Sequence, residues 1–313
     1  MINRTKARIY RGVHCVGPGN IPLRHLPKTQ CAAYNDAMSA ATERFSGIDR
    51  LYGKGSLQRL LRAHVAVIGI GGVGSWAAEA LARSGVGGIT LIDADDVCVS
   101  NTNRQLHALE GSYGRGKVAV MGERLRAIHP GIEVHEIAEF LTSSNQDRLL
   151  DRGYDLVIDA CDAFRTKVEM IHWCRRRKLP LIVCGSAGGR SDVTRIQVRD
   201  LSRTEHDAML SLIRKKLRSE FGFPRNPDRY FGVAAVYSLE NVRYPQADGT
   251  VCGTRPEGEA GKLDCAAGLG AAMHITTAFA MAAVGRAIER LLEPPTTKTA
   301  TAGALVVDTG AVA

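Results

Sequence analysis

A glycine-rich turn constrains this chain more than any other feature of its sequence. Gly69, Gly71 and Gly74 form the pattern GxGxxG, directly after the apolar run Val65-Ala-Val-Ile and before a helix-forming, alanine-rich segment. In a strand–turn–helix unit of this kind the first glycine permits the turn, the second lets the backbone approach a phosphate, and the third lets helix and strand pack closely. Free N–H groups at the helix start attract an anion. The candidate phosphate-binding set is Gly69, Gly71, Gly72 and Gly74.

Apolar runs and helical segments alternate over much of the chain. Strands are predicted at 65–68, 89–93, 132–137, 155–159 and 180–184, and helices at 75–83, 115–128, 145–151 and 164–177. This alternation predicts a Rossmann-like, doubly wound α/β fold with a mainly parallel sheet. A second half follows, with a strand near 194–198, a basic helix beginning near His206 and a long helix over 271–292. With 313 residues, 45% of them hydrophobic, the chain can bury a large core.

The loop after the second predicted strand carries more polar residues than a nicotinamide site needs. Asp93 ends that strand, at the spacing at which a dinucleotide fold holds a ribose hydroxyl. Beyond it come Asp95, Asn101, Asn103, Arg104, Gln105 and Lys117. Cations there would neutralise charge developing on a triphosphate, and Asp162, after the strand at 155–159, supplies a carboxylate for Mg²⁺. Because ligands bind at the carboxyl ends of strands in an open α/β sheet, these side chains should converge with Gly69.

At these residues the chain resembles the adenylate-forming superfamily of ubiquitin-activating and molybdopterin- or thiamine-biosynthesis adenylyltransferases. The similarity is stronger still to one branch, the tRNA threonylcarbamoyladenosine dehydratases. It is carried by Arg44-Phe-Ser-Gly, Arg50-Leu-Tyr-Gly and the segments 69–85, 93–107, 244–252 and 264–270. It runs from about residue 44 to about residue 292, and therefore covers nearly the whole globular part.

The resemblance implies a reaction and a role for individual residues. Asp93 would bind the ribose of ATP, Asn101, Arg104 and Lys117 would face the triphosphate, and Asp162 would hold Mg²⁺. Asp95 belongs to the same cofactor-binding set. Arg50, with Arg44 as the alternative, would reach the γ-phosphate in the partner subunit of a homodimer. The implied activity is ATP-dependent cyclisation of threonylcarbamoyladenosine in tRNA, through an acyl adenylate, with release of pyrophosphate and AMP.

Two basic clusters are the candidate tRNA contacts. The net charge of +9 favours an acidic partner, and the clusters consist of Arg175, Arg176, Arg177 and Lys178, and of Arg214, Lys215, Lys216 and Arg218. Phosphate contacts of this kind would supply affinity and position, with little sequence information. A solvated helix face is the alternative interpretation of each cluster.

The cysteines and histidines leave other functions open. None of the eight cysteines forms a Cys-x-x-Cys pair, which argues against a four-cysteine zinc site. Cys98, Cys161 and Cys184 are predicted to be buried hydrophobes. Cys252 and Cys265 lie in loops, and a reactive thiol there would suit the activation of a sulfur-carrier or ubiquitin-like protein, with a sulfur-transfer partner.

Two further classes remain as alternatives. An NAD-dependent oxidoreductase would need only the glycines and Asp93, and an idle nucleotide-binding scaffold would bind ATP without releasing pyrophosphate. His206, Asp207 and His274 are candidate acid–base groups, although such residues are more often structural or at the surface.

The chain divides into four predicted parts. Residues 1–42 form a basic, disordered extension, with a functional start at Met38 or a transit segment as the alternative; 43–184 form an ATP-binding half; 185–292 form a tRNA-binding half with a C-terminal helix; and 293–313 form a disordered tail. The loops 221–229 and 249–261 are expected to order on tRNA. The protein is predicted to be cytoplasmic, and the helix over 271–292 to pack in a core or dimer contact, with peripheral membrane association as the alternative.

Overall fold

Nine strands build the β-structure of the described part of this protein, which is presented here as a computed structural model. They are β1 (His64–Ile68), β2 (Gly88–Ile92), β3 (Glu133–Ile137), β4 (Leu156–Asp159), β5 (Leu181–Cys184), β6 (Ile196–Asp200), β7 (Ala234–Ser238), β8 (Tyr244–Pro245) and β9 (Val251–Cys252). The order β3-β2-β1-β4-β5-β7-β6 forms one seven-stranded sheet in which only β6 runs antiparallel to its neighbour. The described β8 and β9 pair separately. The predicted Rossmann-like, mainly parallel sheet is confirmed.

Eight helices accompany the strands in the described residues, which are 41–246, 248–255 and 269–293. They are α1 (41–52), α2 (Ser56–Leu60), α3 (Gly74–Arg83), α4 (Lys117–Ile128), α5 (Gln146–Leu150), α6 (Phe164–Arg177), α7 (Ala208–Glu220) and α8 (Met273–Leu292). Residues 41 and 42 are helical, so the predicted extension is two residues too long. The rest of that extension, the predicted tail after residue 293, Cys265 and residues 256–261 of the predicted loop 249–261 lie outside the described residues.

Apolar side chains cover both faces of the sheet, as central parallel strands require. The core on one face is built with α3, α4 and α8, and that on the other with α5, α6 and α7. Ile275, Phe279 and Ala283 of α8 are fully buried, which agrees with the predicted core packing of this helix. Among the described residues, no helix combines the length and apolar character needed to cross a bilayer.

The strand order reverses between β1 and β4. The chain passes from β1 to β2 and β3 on one side, then returns to β4 on the other, where Ile68 lies opposite Asp159. The connections that leave these two strands therefore separate and leave a crevice at their carboxyl ends, which is the place where open α/β sheets bind ligands. The sheet topology alone thus puts Gly69 at the edge of a binding site.

Substituting alanine for Gly74 is expected to lower the free energy of unfolding by about 1–3 kcal/mol or more, because overpacking a tight contact strains the backbone. A Cβ atom on Gly74 would lie 1.8 Å from the carbonyl oxygen of Gly69. Urea unfolding measures the loss. Gly285→Ala is the matched control, since a Cβ on Gly285 of α8 has no neighbour within 4 Å. A Gly74→Ala protein as stable as the wild type would contradict this packing.

Candidate active site

A cavity of about 560 Å³ opens at the carboxyl ends of β1, β2, β4 and β5. Its volume is in the range of small-molecule sites. Nine of the predicted site residues line it, namely Gly69, Gly71, Gly72, Asp93, Asp95, Asn101, Arg104, Lys117 and Asp162. The predicted convergence of the strand-end residues is therefore present in the structure. Gly74 packs behind the glycine turn.

The glycine turn brings bare backbone to the cavity wall. Gly69 has a φ of +84°, and a Cβ there would lie 2.8 Å from the backbone nitrogen of Cys161, so a side chain would collide with the β4 loop. A Cβ on Gly71 would meet only Gln105, at 3.8 Å. The chain is thus tight behind the turn and open in front of it. An anionic group such as a phosphate can approach the backbone there.

Asp93 and Lys117 are joined through Asp95 along one wall. Asp93 accepts the N–H groups of Ile70 at 2.6 Å and of Asp95 at 2.8 Å. Burial raises the pKa of Asp93, and these N–H donors and Lys117 oppose the rise. Lys117 Nζ lies 2.7 Å from Asp95 Oδ2, with the lysine side chain 7% exposed and the aspartate 52%. The lysine charge is therefore held in a sheltered position by a carboxylate that solvent can reach.

The polar loop 101–105 supplies a second wall. Asn101 is buried, and its Oδ1 accepts the N–H of Cys98 at 3.1 Å, which fixes the turn that begins the loop. Arg104 Nη1 donates to the carbonyl of Ser100 at 2.9 Å, and Arg104 is half-buried at the cavity. Gln105 is buried and lines the same wall, yet its Oε1 has no partner among the described residues. Unsatisfied buried polar atoms are rare, and this one is available to a bound ligand.

A buried ion pair supports the loop that carries Asp162. Lys167 Nζ lies 2.7 Å from Asp159 Oδ1, and both side chains are 0% exposed. The same oxygen accepts the N–H of Cys161 at 3.2 Å and its thiol at 3.1 Å. Burial alone would lower the pKa of Lys167, but the Asp159 carboxylate outweighs it and raises that pKa. These buried contacts hold the turn that follows β4, and Asp162 in that turn is exposed at the cavity.

The far wall depends on an arginine that the sequence analysis missed. Arg190 is buried, and it donates to the carbonyls of Ser186 at 2.9 Å, His206 at 2.8 Å and Ser238 at 3.1 Å. Asp207 lies 3.8 Å from Arg190 and accepts the N–H of Ser186 at 2.8 Å. Its other oxygen caps α7. Asp207 thus has a structural role and is not free to act as an acid or base. The position of Arg190, just after a glycine-rich turn, was the available signal.

Comparison with known proteins identifies the group to which this cavity belongs. A family model described as ThiF family matches residues 20–303. The chain belongs to the ThiF family. This ThiF-family chain is 49% identical over 251 residues to the tRNA threonylcarbamoyladenosine dehydratase of Escherichia coli strain K12, an alignment that spans 80% of the chain and 94% of that relative. It is 48% identical over 252 residues to the protein of the same name from Haemophilus influenzae, with the same coverage.

Solved structures agree with the sequence comparison. A structure named TcdA (CsdL) superposes on this ThiF-family chain with a TM-score of 0.74 at 47% identity, covering 80% of the chain and 94% of the other protein. The E. coli dehydratase in complex with ATP has a TM-score of 0.71 at 44% identity, with the same coverage. The resemblance seen in the motifs is therefore confirmed at the level of sequence and of fold.

The structure places Arg50 away from the cavity of its own subunit. Phe45 of α1 and Leu57 of α2 both pack around Gly85, which follows the end of α3 and precedes β2. This region is at the amino ends of the strands, opposite the cavity. Arg50 is exposed there and donates to Ser46 at 3.2 Å. In this ThiF-family chain Arg50 can serve an active site only if that site belongs to another subunit.

Both basic clusters also lie away from the cavity. Helices α6 and α7 begin at the cavity and run toward the amino ends of the strands, so their basic residues come at the far ends. Arg177 is held by Asp147 at 2.8 Å and lies over the Trp173 ring at 4.3 Å. Lys216 pairs with Glu220. These two cations are partly engaged within the fold, and a nucleic-acid role of the clusters stays a prediction.

The other predicted groups have mixed outcomes. Cys98 is exposed, so its predicted burial is wrong: it lies in an irregular loop beyond β2, outside the sheet. Cys184 is buried as predicted, and Cys161 is half-buried. Cys252 lies opposite Tyr244, a cavity residue, but does not itself line the cavity.

Neither candidate histidine lines the cavity of this ThiF-family chain. His206 Nδ1 lies 2.9 Å from Asn241 Oδ1, and His274 Nε2 lies 3.1 Å from the carbonyl oxygen of Ser191. Both rings therefore have partners within the fold, as the structural interpretation of lone histidines expects.

Proposed function

We propose that this protein is an ATP-dependent tRNA threonylcarbamoyladenosine dehydratase. The observation that carries the proposal is the arrangement of one cavity, in which a bare glycine turn, a strand-end aspartate and two cations meet. Two relatives of this name align over 94% of their lengths, and one solved structure of this kind contains ATP. A nicotinamide site would give no role to Arg104 and Lys117, so the cavity supports ATP over a hydride carrier.

The first step activates the carboxylate of the threonyl group, which is a poor electrophile as it stands. A carboxylate oxygen attacks the α-phosphorus of ATP, the bond from that phosphorus to the bridging oxygen breaks, and pyrophosphate leaves. Asp93 would orient the ribose. Lys117 and Arg104 neutralise the charge that develops on the phosphates, in a sheltered site where such charges act strongly. The protein contributes alignment and electrostatics.

The second step closes a ring within the substrate. A nitrogen of the same modification attacks the acyl carbon, the bond from that carbon to the AMP oxygen breaks, and the nitrogen loses its proton. The product is lighter than the substrate nucleoside by one water. No enzyme nucleophile is needed for this step, because the attacking nitrogen belongs to the substrate.

Mg²⁺ is the metal that this chemistry calls for. Asp162 would hold it, because Mg²⁺ in phosphoryl-transfer sites is bound by one or two carboxylates together with the substrate phosphates. Asp162, with its exposed carboxylate, and Gln105, whose Oε1 has no partner, both line the cavity, and such oxygen ligands fit Mg²⁺. The ion would supply Lewis-acid stabilisation of the phosphate oxygens.

The test of the proposed function is pyrophosphate release from Mg-ATP. Purified protein is given total tRNA that bears the threonylcarbamoyl modification, and in parallel tRNA that lacks it. Release only with the modified tRNA, together with AMP and a nucleoside lighter by one water, is the expected result. Silence with both tRNAs would refute the dehydratase and favour a protein substrate, such as a sulfur carrier, or a scaffold.

A homodimer with a shared site is the proposed assembly, and Arg50 gives it a direct test. Arg50→Ala and Lys117→Ala proteins are each expected to lose most activity. Mixed subunits in equal amounts should recover about a quarter of it, because half of the dimers are mixed and each has one intact site. Pyrophosphate release after co-refolding measures this recovery. No recovery would contradict the assignment in trans, and full activity of Arg50→Ala alone would shift the role to Arg44.

A further inference from the structure

A second concave surface lies at the amino ends of the parallel strands, on the side of the sheet opposite to the cavity. Arg199, Asp200, Ser202, Arg203, Thr204, Glu205 and Tyr230 line an open depression of about 590 Å³. We call it the Tyr230 surface. It lies where β6 ends, since Asp200 pairs with Ala234, the first residue of β7. The amino ends of the parallel strands are therefore its neighbours.

An exposed aromatic ring and a guanidinium form the centre of the Tyr230 surface. Tyr230 is 63% exposed. The guanidinium carbon of Arg203 lies 4.9 Å from the centre of its ring, which is a cation–π distance. Such a pair offers a flat face for stacking next to a positive charge, which is the combination by which proteins hold unpaired bases of nucleic acids.

Both carboxylates on this surface have partners within the fold. The Asp200 carboxylate accepts N–H groups from Ser202 at 2.9 Å, Phe231 at 2.9 Å, Gly232 at 2.7 Å and Val233 at 3.1 Å. Glu205 lies 3.9 Å from Arg199. Arg203, which lies over the Tyr230 ring, is therefore the cation of the depression that is available to a phosphate beside that ring.

Both basic clusters join the Tyr230 surface through the residue next to Tyr230. Arg175 Nε donates to the carbonyl of Phe231 at 2.7 Å, and the Arg218 guanidinium carbon lies 5.2 Å from the centre of the Phe231 ring. Arg214 donates to Thr204, which lines the depression. Residues of both clusters, far apart in sequence, thus contact the segment that carries Tyr230 or the depression itself. Tyr230 is the one aromatic residue among those that line the described depression.

We propose that the Tyr230 surface binds RNA, as a site separate from the catalytic cavity, by stacking one unpaired base on Tyr230 and binding adjacent phosphates through Arg203 and the basic clusters. The proposal rests on the proposed function, because it names how the same tRNA is held. The helix α7 begins at the cavity with Ala208, and Arg218 follows ten residues later, about 15 Å along the helix axis. A substrate that reaches both places must span about 15 Å, which is about four to five stacked nucleotides at about 3.4 Å each and more than a trinucleotide.

The first experiment separates tRNA binding from catalysis. Binding of labelled total tRNA is titrated by fluorescence anisotropy at several salt concentrations, without ATP, for the wild type and for Tyr230→Ala, Arg203→Ala, Tyr230→Phe and Lys54→Ala. Tyr230→Ala and Arg203→Ala are each expected to weaken binding about tenfold. Arg203→Ala should also reduce the slope of log affinity against log salt by about one. Tyr230→Phe keeps a ring and should retain most of the affinity. Lys54, an exposed lysine outside this surface, should have no effect.

The second experiment uses substrate length. In steady-state pyrophosphate release, Tyr230→Ala should raise KM for full-length modified tRNA about tenfold and leave KM for ATP unchanged. With a trinucleotide that carries the modified nucleoside, the variant and the wild type should be alike. If Tyr230→Ala and Arg203→Ala leave both tRNA binding and the KM for tRNA unchanged, the proposal is overturned. The same result is expected if this surface binds an acidic protein instead of RNA. If no tRNA supports pyrophosphate release, the proposed function fails, and the binding titration still decides whether this surface holds RNA.

Discussion

Lys117→Ala is expected to slow pyrophosphate release by about 10²–10³-fold, which is the usual cost of removing one preorganised group that stabilises transition-state charge. Lys117 is the first residue of α4, and its ammonium group is sheltered at the cavity wall beside Asp95. The backbone of Lys117 also donates to the carbonyl of Asp95 at 3.0 Å, so the position of the side chain is fixed from two directions. Rapid quench with saturating ATP and modified tRNA isolates the step.

Lys54→Ala is the control for Lys117→Ala, because Lys54 is exposed in the turn between α1 and α2. It should keep the wild-type rate. A Lys117→Ala enzyme that retained kcat but had a raised KM for ATP would show that Lys117 binds the ground state and the transition state equally, contrary to the mechanism proposed for it. Unchanged kinetics would remove Lys117 from the site.

Lys167→Met is expected to lower the free energy of unfolding by about 3–5 kcal/mol, because it leaves the Asp159 carboxylate buried without its cation. The two side chains are fully buried and lie 2.7 Å apart. Methionine keeps most of the volume of lysine, so lost packing contributes little. Urea unfolding at neutral pH measures the change.

A double-mutant cycle measures the coupling free energy between Asp159 and Lys167, apart from the contacts that each makes with other residues. Asp159→Asn combined with Lys167→Met should restore part of the lost stability, because the amide oxygen of asparagine can still accept the N–H of Cys161 and carries no charge. If the two single changes simply added, Asp159 and Lys167 would not be coupled. A loss below about 1 kcal/mol for Lys167→Met would mean that the carboxylate finds another way to neutralise its charge.

Local patterns were sufficient to predict the parallel sheet and the edge at which the site lies. The apolar runs at β1, β2, β4 and β5 and the helices between them are short-range signals. The parallel topology then places the carboxyl ends of these strands on one side of the sheet. Lys117 at the start of α4 and the glycine turn could be read in the same way, since each depends on residues close in sequence. The strand β7 (Ala234–Ser238) was missed because a long irregular segment separates it from α7, which interrupts the alternation of helix and strand.

Pairings between distant segments could not be predicted. Arg190 owes its burial to carbonyl groups of residues up to 50 positions away, and the glycine-rich turn before it indicates a loop near the site but not these partners. Lys167 looks like a residue of a solvated helix face until α6 is packed on β4. The basic clusters were candidate tRNA contacts, but the direction of α6 and α7 places them toward the amino ends of the strands, away from the cavity. In each case the position of the side chain depends on how segments far apart in the sequence pack together.

Helix α8 is the last described element of the chain, yet it packs on both of the halves into which the sequence seems to divide. It lies against α3 as well as β5 and β6, and near its end the carbonyl of Leu292 accepts a hydrogen bond from Arg59 of α2 at 2.9 Å. Synthesis from the amino end therefore leaves the part of one sheet face that α8 covers exposed until residues 273–292 have emerged, although α3 and α4 can already cover the rest of that face. Completion of the core has to wait for the C-terminal helix, so the first half is expected to be a poor candidate for expression as an independent nucleotide-binding module.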